Sequence, residues 1–345
     1  MSMKILLFAI VFSMSCFSQK LELVHKTDGI IWGIDMVDES NLVFTNRDGR
    51  AKVLNLKTKK EKAINHPKVE EVGQGGLLDV HFHKEKDKEY IYYSFSEKTK
   101  DKKVVTSLAR GEWADSQVNG LKTIFTSNAH SETSRHFGSR IEIIGDQLFL
   151  SIGDRGVRDQ AQKLSSHNGS VLRMKLDGSA YPGNPFKDSP FIFSYGHRNP
   201  QGMDSIDGKL YVAEMGPRGG DELNLVEKAK NYGWPEITYG SEYWGPKIGK
   251  EKKAGMEQPL VYWTPSISPS GMAFYTGDKL KALKGKLFIG CLSGSQVRQI
   301  ELVNGKVKSQ KALFEDKNER FRDVLNGIDG HLYLSTDSGK IFRVN

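Results

Sequence analysis

The sequence of 345 residues has only two cysteines, Cys16 and Cys291, and it lacks long apolar runs and long stretches of helical periodicity. The apolar run 5–12 is about eight residues long, whereas a membrane-spanning helix needs about 20. Cys16 lies near the N-terminus, within the segment that is described below as a predicted signal peptide. Without it a single cysteine remains, so the chain can form no internal disulfide. The sequence also has no Cys/His cluster typical of a zinc site. A chain of this length can bury a large core without such links.

The first 18 residues have the pattern of a signal peptide. Lys4 precedes the short apolar run, small residues stand at the −3 and −1 positions before Gln19, and a polar sequence follows. We expect 1–18 to be a signal peptide, 19–345 to form a single domain, and the protein to be periplasmic or secreted. Cys16 could instead anchor a lipoprotein, but the usual leucine is missing from residues 13–15, which favours plain secretion.

The net charge of +8 and the pI near 9.1 raise the question of a nucleic-acid partner. The lysines, however, lie in short runs at 57–62, 98–103 and 250–253 that acids and threonines interrupt. This distribution is more typical of solvated loops than of a surface that follows phosphates. We therefore predict no nucleic-acid partner and no transmembrane segment.

Six segments share one pattern, in which turn residues precede a short strand of alternating β-branched and aromatic residues. They are 39–45, 88–94, 146–151, 207–213, 284–290 and 329–335. Such a repeat is the signature of β-hairpins, and six units of roughly 54 residues fit four-stranded propeller blades. The sequence predicts an all-β, six-bladed β-propeller of four-stranded antiparallel blades. Because the last unit ends at Asn345, a strand near residues 21–24 should complete its blade.

Equal offsets within these repeats point to a common site. His136, Arg198 and Arg320 each lie twelve residues before the leucine that opens the repeated strand of their unit. Such positions should lie at the start of the innermost strand and face one mouth of the central channel. The segments 73–76 and 266–271 occupy similar places, whereas the first unit has Ile30 there. A histidine and several arginines that converge from different blades suit a polyanionic cofactor.

Each of these residues also has a structural interpretation. His136 could act as a general base near neutral pH or could hold two blades together. Arg198 could bind a carboxylate, with Asn199 beside it, or could form an internal ion pair. Arg320 and Arg322 lie two apart on a predicted strand and share a face, which favours an anionic partner for the two charges.

The segment 214–225 combines glycines, a proline and several acids. Calcium binds such mixtures of carbonyl and carboxylate oxygens, although an acidic, glycine-rich turn is more often only a turn. Gly153-Asp-Arg-Gly matches neither a P-loop nor a dinucleotide-binding motif. Cys291 has no basic neighbour and is expected to be a packed thiol.

Taken together, several segments resemble the soluble pyrroloquinoline quinone-dependent glucose and aldose sugar dehydrogenases. The matching blocks occur in order from about Gly73 to the C-terminus: Gly-Gln-Gly-Gly-Leu-Leu-Asp-Val, His-Phe-Gly-Ser-Arg, Ser-Ile-Gly-Asp-Arg-Gly, Gly-His-Arg-Asn-Pro-Gln-Gly, Gly-Pro-Arg-Gly-Gly-Asp-Glu-Leu-Asn-Leu, Asn-Tyr-Gly-Trp-Pro, Ser-Pro-Ser-Gly-Met-Ala-Phe-Tyr and Arg-Phe-Arg-Asp-Val. Any one block alone would be a weak signal, whereas the ordered set is specific.

The resemblance implies a role for each candidate residue. It implies that His136 removes the proton from the anomeric hydroxyl of an aldose, with Gln74 beside it, while hydride passes to the quinone and the lactone forms. By the same resemblance, the cofactor is held by Arg198, Asn199, Arg320 and Arg322. The carbonyls of Gly216 and Pro217 match ligands of a Ca²⁺ that polarises the quinone. Glu222 and Tyr232 match ligands of a second, structural Ca²⁺.

Three departures bear on substrate and assembly. Arg135 stands where glucose-specific members carry an acid, and Ser293-Gly294 replaces a lysine of those members, which favours a broader range of aldoses. The shorter chain lacks their long dimer-forming loops, which favours a monomer. The electron acceptor is not identified. Two alternatives remain: a sugar-binding propeller without activity, and a calcium-dependent hydrolase of the lactonase type.

Overall fold

The computed structural model describes residues 19–345, which form a ring of six four-stranded antiparallel sheets. The predicted signal peptide 1–18, including Cys16, lies outside the described residues. In residues 19–345 no helix has the length and apolar character needed to cross a membrane.

The blades are numbered by their innermost strands. β1 (Leu21–Lys26) is the outermost strand of blade 6. Blade 1 contains β2 (Ile31–Asp38), β3 (Asn41–Asn46), β4 (Arg50–Asn55) and β5 (Glu61–Ala63). Blade 2 contains β6 (Leu77–Glu85), β7 (Lys88–Lys98), β8 (Val104–Ala114) and β9 (Gln117–Thr126). Blade 3 contains β10 (Ile141–Ile144), β11 (Gln147–Ile152), β12 (Ser170–Lys175) and β13 (Ile192–Tyr195).

The second half of the ring repeats this arrangement. Blade 4 contains β14 (Pro200–Ile206), β15 (Lys209–Glu214), β16 (Asp221–Val226) and β17 (Val261–Trp263). Blade 5 contains β18 (Pro269–Phe274), β19 (Leu287–Cys291), β20 (Val297–Val303) and β21 (Lys306–Leu313). Blade 6 contains β22 (Phe321–Asn326), β23 (Leu332–Thr336) and β24 (Lys340–Val344) in addition to β1. Three short 3-10 helices span Arg158–Gln162, Lys281–Leu283 and Glu315–Lys317.

The six repeated segments of the sequence form the second strand of each blade, and the predicted fold class is confirmed. The alternation arises because each such strand packs against both neighbouring blades. In β11, Leu148 and Leu150 belong to the apolar layer shared with blade 2, whereas Phe149 packs with Met203 and Leu210 of blade 4. The hydrophobic core therefore consists of layers between blades.

The chain termini close the ring as expected from the sequence. β1 pairs antiparallel with β24, with Leu21 opposite Val344. The pairing continues beyond the strands, since the backbone amides of Lys20 and Asn345 each donate to the other's carbonyl oxygen, at 3.0 and 2.9 Å. This pairing covers the outer edge of β24 and joins the first strand of the ring to the last.

Carboxylates of the innermost strands connect five of the six pairs of adjacent blades. The donor–acceptor pairs are Phe82 N to Asp35 (2.7 Å), Ile141 N to Asp79 (2.9 Å), Ser205 Oγ to Glu142 (2.7 Å), Phe274 N to Asp204 (2.5 Å) and Ile34 N to Asp323 (3.0 Å). Each bond joins one blade to the next, so the acids around the channel serve as blade-to-blade connectors.

Arg140 crosses the channel and is almost fully buried. Its Nη1 lies 2.9 Å from both Asp79 Oδ1 and Asp323 Oδ1, and its guanidinium lies 4.2 Å from the Trp32 ring. Its Nε donates to the Gln201 carbonyl at 2.7 Å, and Nη2 donates to the Arg322 carbonyl at 3.0 Å. One side chain at the start of blade 3 thus contacts residues of four other blades.

A cavity of about 360 Å³ lies in the channel, and Arg140, Asp79 and Asp323 contribute to its lining. Burial raises the pKa values of two other lining acids, Asp35 and Asp204, to about 7. Burial also raises the pKa of Asp323 to about 7, with Arg140 opposing the shift and Asp79 adding to it.

Replacing Arg140 by alanine should destabilise the protein by about 3–5 kcal/mol, because two buried carboxylates lose their cation. The pKa of Asp323, which Arg140 lowers, should rise further. A carboxyl whose pKa is raised by folding destabilises the native state increasingly as pH rises from its unfolded towards its folded value. Denaturant unfolding should therefore show that Arg140→Ala loses more of its free energy of unfolding at pH 8 than at pH 5.

The matched control is Lys88→Ala, which removes the cation of an exposed pair with Glu112. It should barely change stability at either pH. A loss for Arg140→Ala as small as that of the control would contradict the role assigned to Arg140.

Candidate functional site

One mouth of the channel contains a cavity of about 220 Å³. Its lining includes the predicted residues Gln74, Asn199, Arg320 and Arg322. The other lining residues are Trp32, Arg47, Gln201, Met215, Ser268 and Leu292. The contributors come from several blades. Of the three residues at equal offsets in the repeats, Arg320 lines the cavity, whereas His136 and Arg198 are not part of its lining.

The predicted position at the start of the innermost strand holds only approximately. Arg198 and Arg320 lie two residues and one residue before β14 and β22, whereas His136 lies five residues before β10, in a loop. His136 has a positive φ of 55°. This backbone region is uncommon for residues other than glycine, so tertiary contacts must hold the loop there.

Two side chains fix His136. The Gln74 side-chain oxygen accepts the His136 backbone N–H at 2.8 Å, and His136 Nδ1 lies 2.7 Å from Asp154 Oδ1. Because a carboxylate only accepts hydrogen bonds, Nδ1 carries the proton and Nε2 is the nitrogen able to take another. Burial lowers the pKa of His136, while Asp154 acts in the opposite direction, so the imidazole is neutral at neutral pH.

Asp154 is the main site residue that no sequence pattern identified. It is 1% exposed, its Oδ2 accepts the Trp234 indole N–H at 2.8 Å, and its Oδ1 also accepts the Gly156 backbone N–H at 2.7 Å. The sequence signals were the glycine before this acid, two residues after the end of β11, and the matching block Ser-Ile-Gly-Asp-Arg-Gly, to which no role was assigned. A Cβ at Gly153 would lie 2.1 Å from the His136 carbonyl oxygen, which explains the glycine before Asp154.

Arg155 supports the histidine loop from below and is fully buried. It donates to the carbonyl oxygens of Thr133, at 3.0 Å, and Arg135, and its guanidinium lies 3.4 Å from the Phe137 ring. Burial lowers the pKa of Arg155 to about 10. The residue therefore acts as a structural support for the loop.

Asn199 lines the mouth from blade 4, whereas Arg198, the residue before it, is not part of that lining. Arg198 Nη1 donates to the Gly216 carbonyl at 2.6 Å and to the Met215 carbonyl at 3.1 Å, so Arg198 already contacts one of the predicted metal-binding carbonyls. The Arg198 Nε is buried without a hydrogen-bond partner. Asn199 Oδ1 accepts the Gly138 N–H at 3.3 Å, which links blade 4 to the histidine loop.

Arg320 and Arg322 share Asp337 as a partner. Arg320 Nε lies 2.8 Å from Asp337 Oδ2, and Arg322 makes two bonds to the same carboxylate, at 2.8 and 3.0 Å. The two neighbouring charges suggested an anionic ligand, and the protein itself supplies one anion for them. One positive charge of the pair remains uncompensated by Asp337.

A second, very small cavity of about 10 Å³ lies behind this mouth. Arg198, Gly216, Glu222 and Tyr232 line it together with Glu214. Burial, with the charge of Glu214 as a further cause, raises the pKa of Glu222 to about 8. The buried Glu214 and the partly buried Glu222 beside a space of this size form an environment that favours a cation.

Other features near these acids limit the choice of metal ligands. The Tyr232 hydroxyl donates to the Leu225 carbonyl at 2.7 Å and accepts the Glu227 N–H at 2.9 Å, so two backbone bonds engage it. In residues 19–345 no three His, Cys, Asp or Glu side chains are grouped to hold a metal. A metal here would need carbonyl oxygens such as that of Gly216. Pro217 belongs to the same turn, and its ring contacts the position of Gly240.

Cys291 is fully buried at the end of β19, and burial raises the pKa of its thiol to about 12. The thiol is therefore a packed group, as expected from the sequence.

Comparison with known proteins agrees with this geometry. The family model for glucose/sorbosone dehydrogenases matches residues 29–343. The chain is 40% identical over 288 residues to the aldose sugar dehydrogenase YliI of Escherichia coli K12, which covers 79% of this chain and 78% of the relative.

Two solved structures have the same fold. The apo-form of the soluble aldose sugar dehydrogenase of Escherichia coli matches with a TM-score of 0.90 and 35% identity, over 95% of this chain and 99% of that one. The PQQ-bound form of an aldose sugar dehydrogenase from Streptomyces coelicolor matches with a TM-score of 0.80 and 25% identity, over 95% and 98%. The chain belongs to the glucose/sorbosone dehydrogenase family of oxidoreductases.

Proposed function

We propose that this protein oxidises an aldose at the anomeric carbon to the lactone, with pyrroloquinoline quinone as cofactor and His136 as general base. The observation that carries the proposal is the His136–Asp154 pair, in which a neutral imidazole is fixed beside a mouth rich in arginine. The PQQ-bound Streptomyces relative supports the choice of cofactor.

The mouth fits a ligand with several carboxylates. Arg198 and Arg47 each have a buried Nε without a partner, and Arg320 and Arg322 together exceed the charge of Asp337 by one. Arg198, Asn199, Arg320 and Arg322 would hold the quinone. When bound, the quinone supplies the acceptor for the hydride from the sugar.

The protein's own contribution is to position and move one proton. His136 Nε2 accepts the proton of the anomeric hydroxyl, and Asp154 stabilises the imidazolium that forms. Gln74 holds the backbone of His136 and, from the cavity wall, can also orient the sugar. Trp234 and Gly156 keep the Asp154 carboxylate ionised and aligned.

Calcium would occupy two places in this proposal. The Gly216 and Pro217 carbonyls would bind one ion beside Arg198, and this ion would act as a Lewis acid. Glu222 and Tyr232 would bind a second, structural ion at the small cavity, where the acids Glu222 and Glu214 favour a cation.

The alternatives are less well supported. A lactonase-type hydrolase would need several carboxylates around a metal at the mouth, whereas the described mouth carries three arginines. A binding propeller without activity would not need the buried Asp154 behind the histidine. We further propose that the protein is exported to the periplasm or the medium and that it is a monomer. Its electron acceptor is not identified.

Protein purified without cofactor should be inactive towards aldoses and should gain activity when the quinone and Ca²⁺ are added together. Reduction of an artificial electron-acceptor dye with a panel of sugars measures this, and lactone hydrolysis is assayed in parallel. Dye reduction that does not respond to the quinone, or hydrolysis of lactones without it, would refute the proposed reaction.

His136→Gln should lower kcat by about 10²–10⁴, the usual contribution of a positioned base, while quinone titration shows nearly unchanged cofactor binding.

In the wild type, activity should fall as pH drops below the lowered pKa of His136. Asp154→Asn should reduce kcat and shift this acid limb to lower pH, because Asp154 raises the pKa of His136. A purely structural role for Asp154 would leave the limb in place.

Calcium should stabilise the cofactor-free protein through Glu222. An ion present at a hundredfold excess over its dissociation constant adds about 2.7 kcal/mol, so a chelator should lower the melting temperature. Glu222→Gln should remove most of this sensitivity, whereas Glu257→Gln, which breaks an exposed pair with Lys230, should retain it. Identical melts of the wild type in calcium and in chelator would rule out the structural ion.

A further inference from the structure

Two aromatic side chains project from a tight turn between β16 and β17. Tyr243 is 63% exposed and Trp244 is 78% exposed, the highest values among the large exposed apolar side chains of residues 19–345. The turn is closed by two bonds, from Glu242 N to the Pro246 carbonyl at 2.9 Å and from Gly245 N to the Glu242 carbonyl at 3.2 Å. A hydrogen-bonded turn therefore presents two large apolar faces to solvent.

One side of this turn is connected to the histidine. Glu242 forms an ion pair with Arg158 at 2.7 Å, and the Arg158 guanidinium lies 5.7 Å from the Trp234 ring. Trp234 in turn donates its indole N–H to Asp154, the partner of His136.

The other side of the turn is connected to the glycine-rich loop. Ser241 and Arg218 exchange two backbone hydrogen bonds, at 3.1 and 3.2 Å, and Arg218 directly follows Gly216-Pro217. A Cβ at Gly240 would lie 2.4 Å from the Gly219 carbonyl, so the two segments are in close contact. The aromatic turn is thus linked by contacts to the Asp154–His136 pair on one side and to the loop that Arg198 contacts on the other.

An exposed aromatic pair at this place suits a sugar ring. Sugars are neutral, and the C–H faces of a pyranose are apolar, so an aromatic ring can cover such a face while the hydroxyls stay in water. Aromatic side chains provide a large contact area at a low entropic cost. The turn is linked to the histidine pair but is not part of the cavity lining, so it would contact a second ring adjacent to the one that reacts.

We propose that Tyr243 and Trp244 form a subsite for the sugar unit next to the oxidised one, so that the protein prefers oligosaccharides to monosaccharides. The proposal rests on the proposed function for the identity of the reacting sugar. Trp244, the more exposed of the two, carries most of the contact.

Trp244→Ala should raise KM for a trisaccharide such as maltotriose by about three- to tenfold, the effect of losing one aromatic contact. KM for glucose and kcat for both sugars should stay unchanged, and Trp244→Phe should retain part of the preference. The control is Ile328→Ala, which removes a similarly exposed apolar side chain that lines the channel cavity. Equal effects of Trp244→Ala on both sugars, or no effect, would overturn the proposal.

A binding measurement separates this inference from the proposed reaction. Tryptophan fluorescence of cofactor-free protein should change on titration with maltotriose, and this change should be lost in Trp244→Phe. If no sugar is oxidised but this signal persists, the subsite stands and the reaction fails. If sugars are oxidised while the fluorescence signal and the KM values are the same in the wild type and in the Trp244 variants, only the subsite fails. A dimer that dissociates in Trp244→Ala without any effect on sugars would also overturn it.

Discussion

The Arg140 guanidinium, held between Asp79 and Asp323 on the channel axis, is the contact on which the arrangement of both cavities depends. A charge removed from water is tolerated only when partners satisfy it, and here two carboxylates and two backbone carbonyls do so. Because these partners belong to different blades, the ion pair fixes the blades relative to one another. The carbonyl of Arg322 is one of the acceptors, so the same contact also positions a residue of the mouth.

The mouth and the channel cavity differ in charge. Arg47, Arg320 and Arg322 line the mouth, whereas Asp35 and Asp204 are among the acids of the channel cavity. The acids are used as hydrogen-bond acceptors between blades, and burial raises their pKa values to about 7. The arginines keep positive charge in excess, so an anionic ligand is favoured at the mouth alone.

The loop that carries His136 is held in one conformation by side chains of the surrounding blades. His136 lies outside regular structure and has a positive φ, yet Gln74, Asp154 and Arg155 restrain its loop. Catalysis by a positioned base requires such restraint, since the proton acceptor must keep one tautomer and one orientation. Membership of the sugar dehydrogenase family agrees with this arrangement.

The sequence alone determined the fold class, the number of blades, the repeated hairpin strands and the closing strand near the N-terminus. These features follow from local periodicity and turn residues, which act over a few residues and repeat around the ring. The equal offsets also pointed to Arg320, which lines the mouth, and to Arg198 and His136, which lie outside its lining. The resemblance then suggested roles for Gln74 and Glu222.

Only the tertiary structure decided the partners. Asp154 is 18 residues from His136, Asp337 neutralises one of two arginines that seemed to need an external anion, and Arg140 meets Asp323 across the channel. Such pairs depend on how loops of different blades meet, and the periodicity of the sequence does not predict these contacts. The charge of a site is set by these pairings, because a buried group takes its ionisation from its nearest neighbours rather than from its place in the sequence.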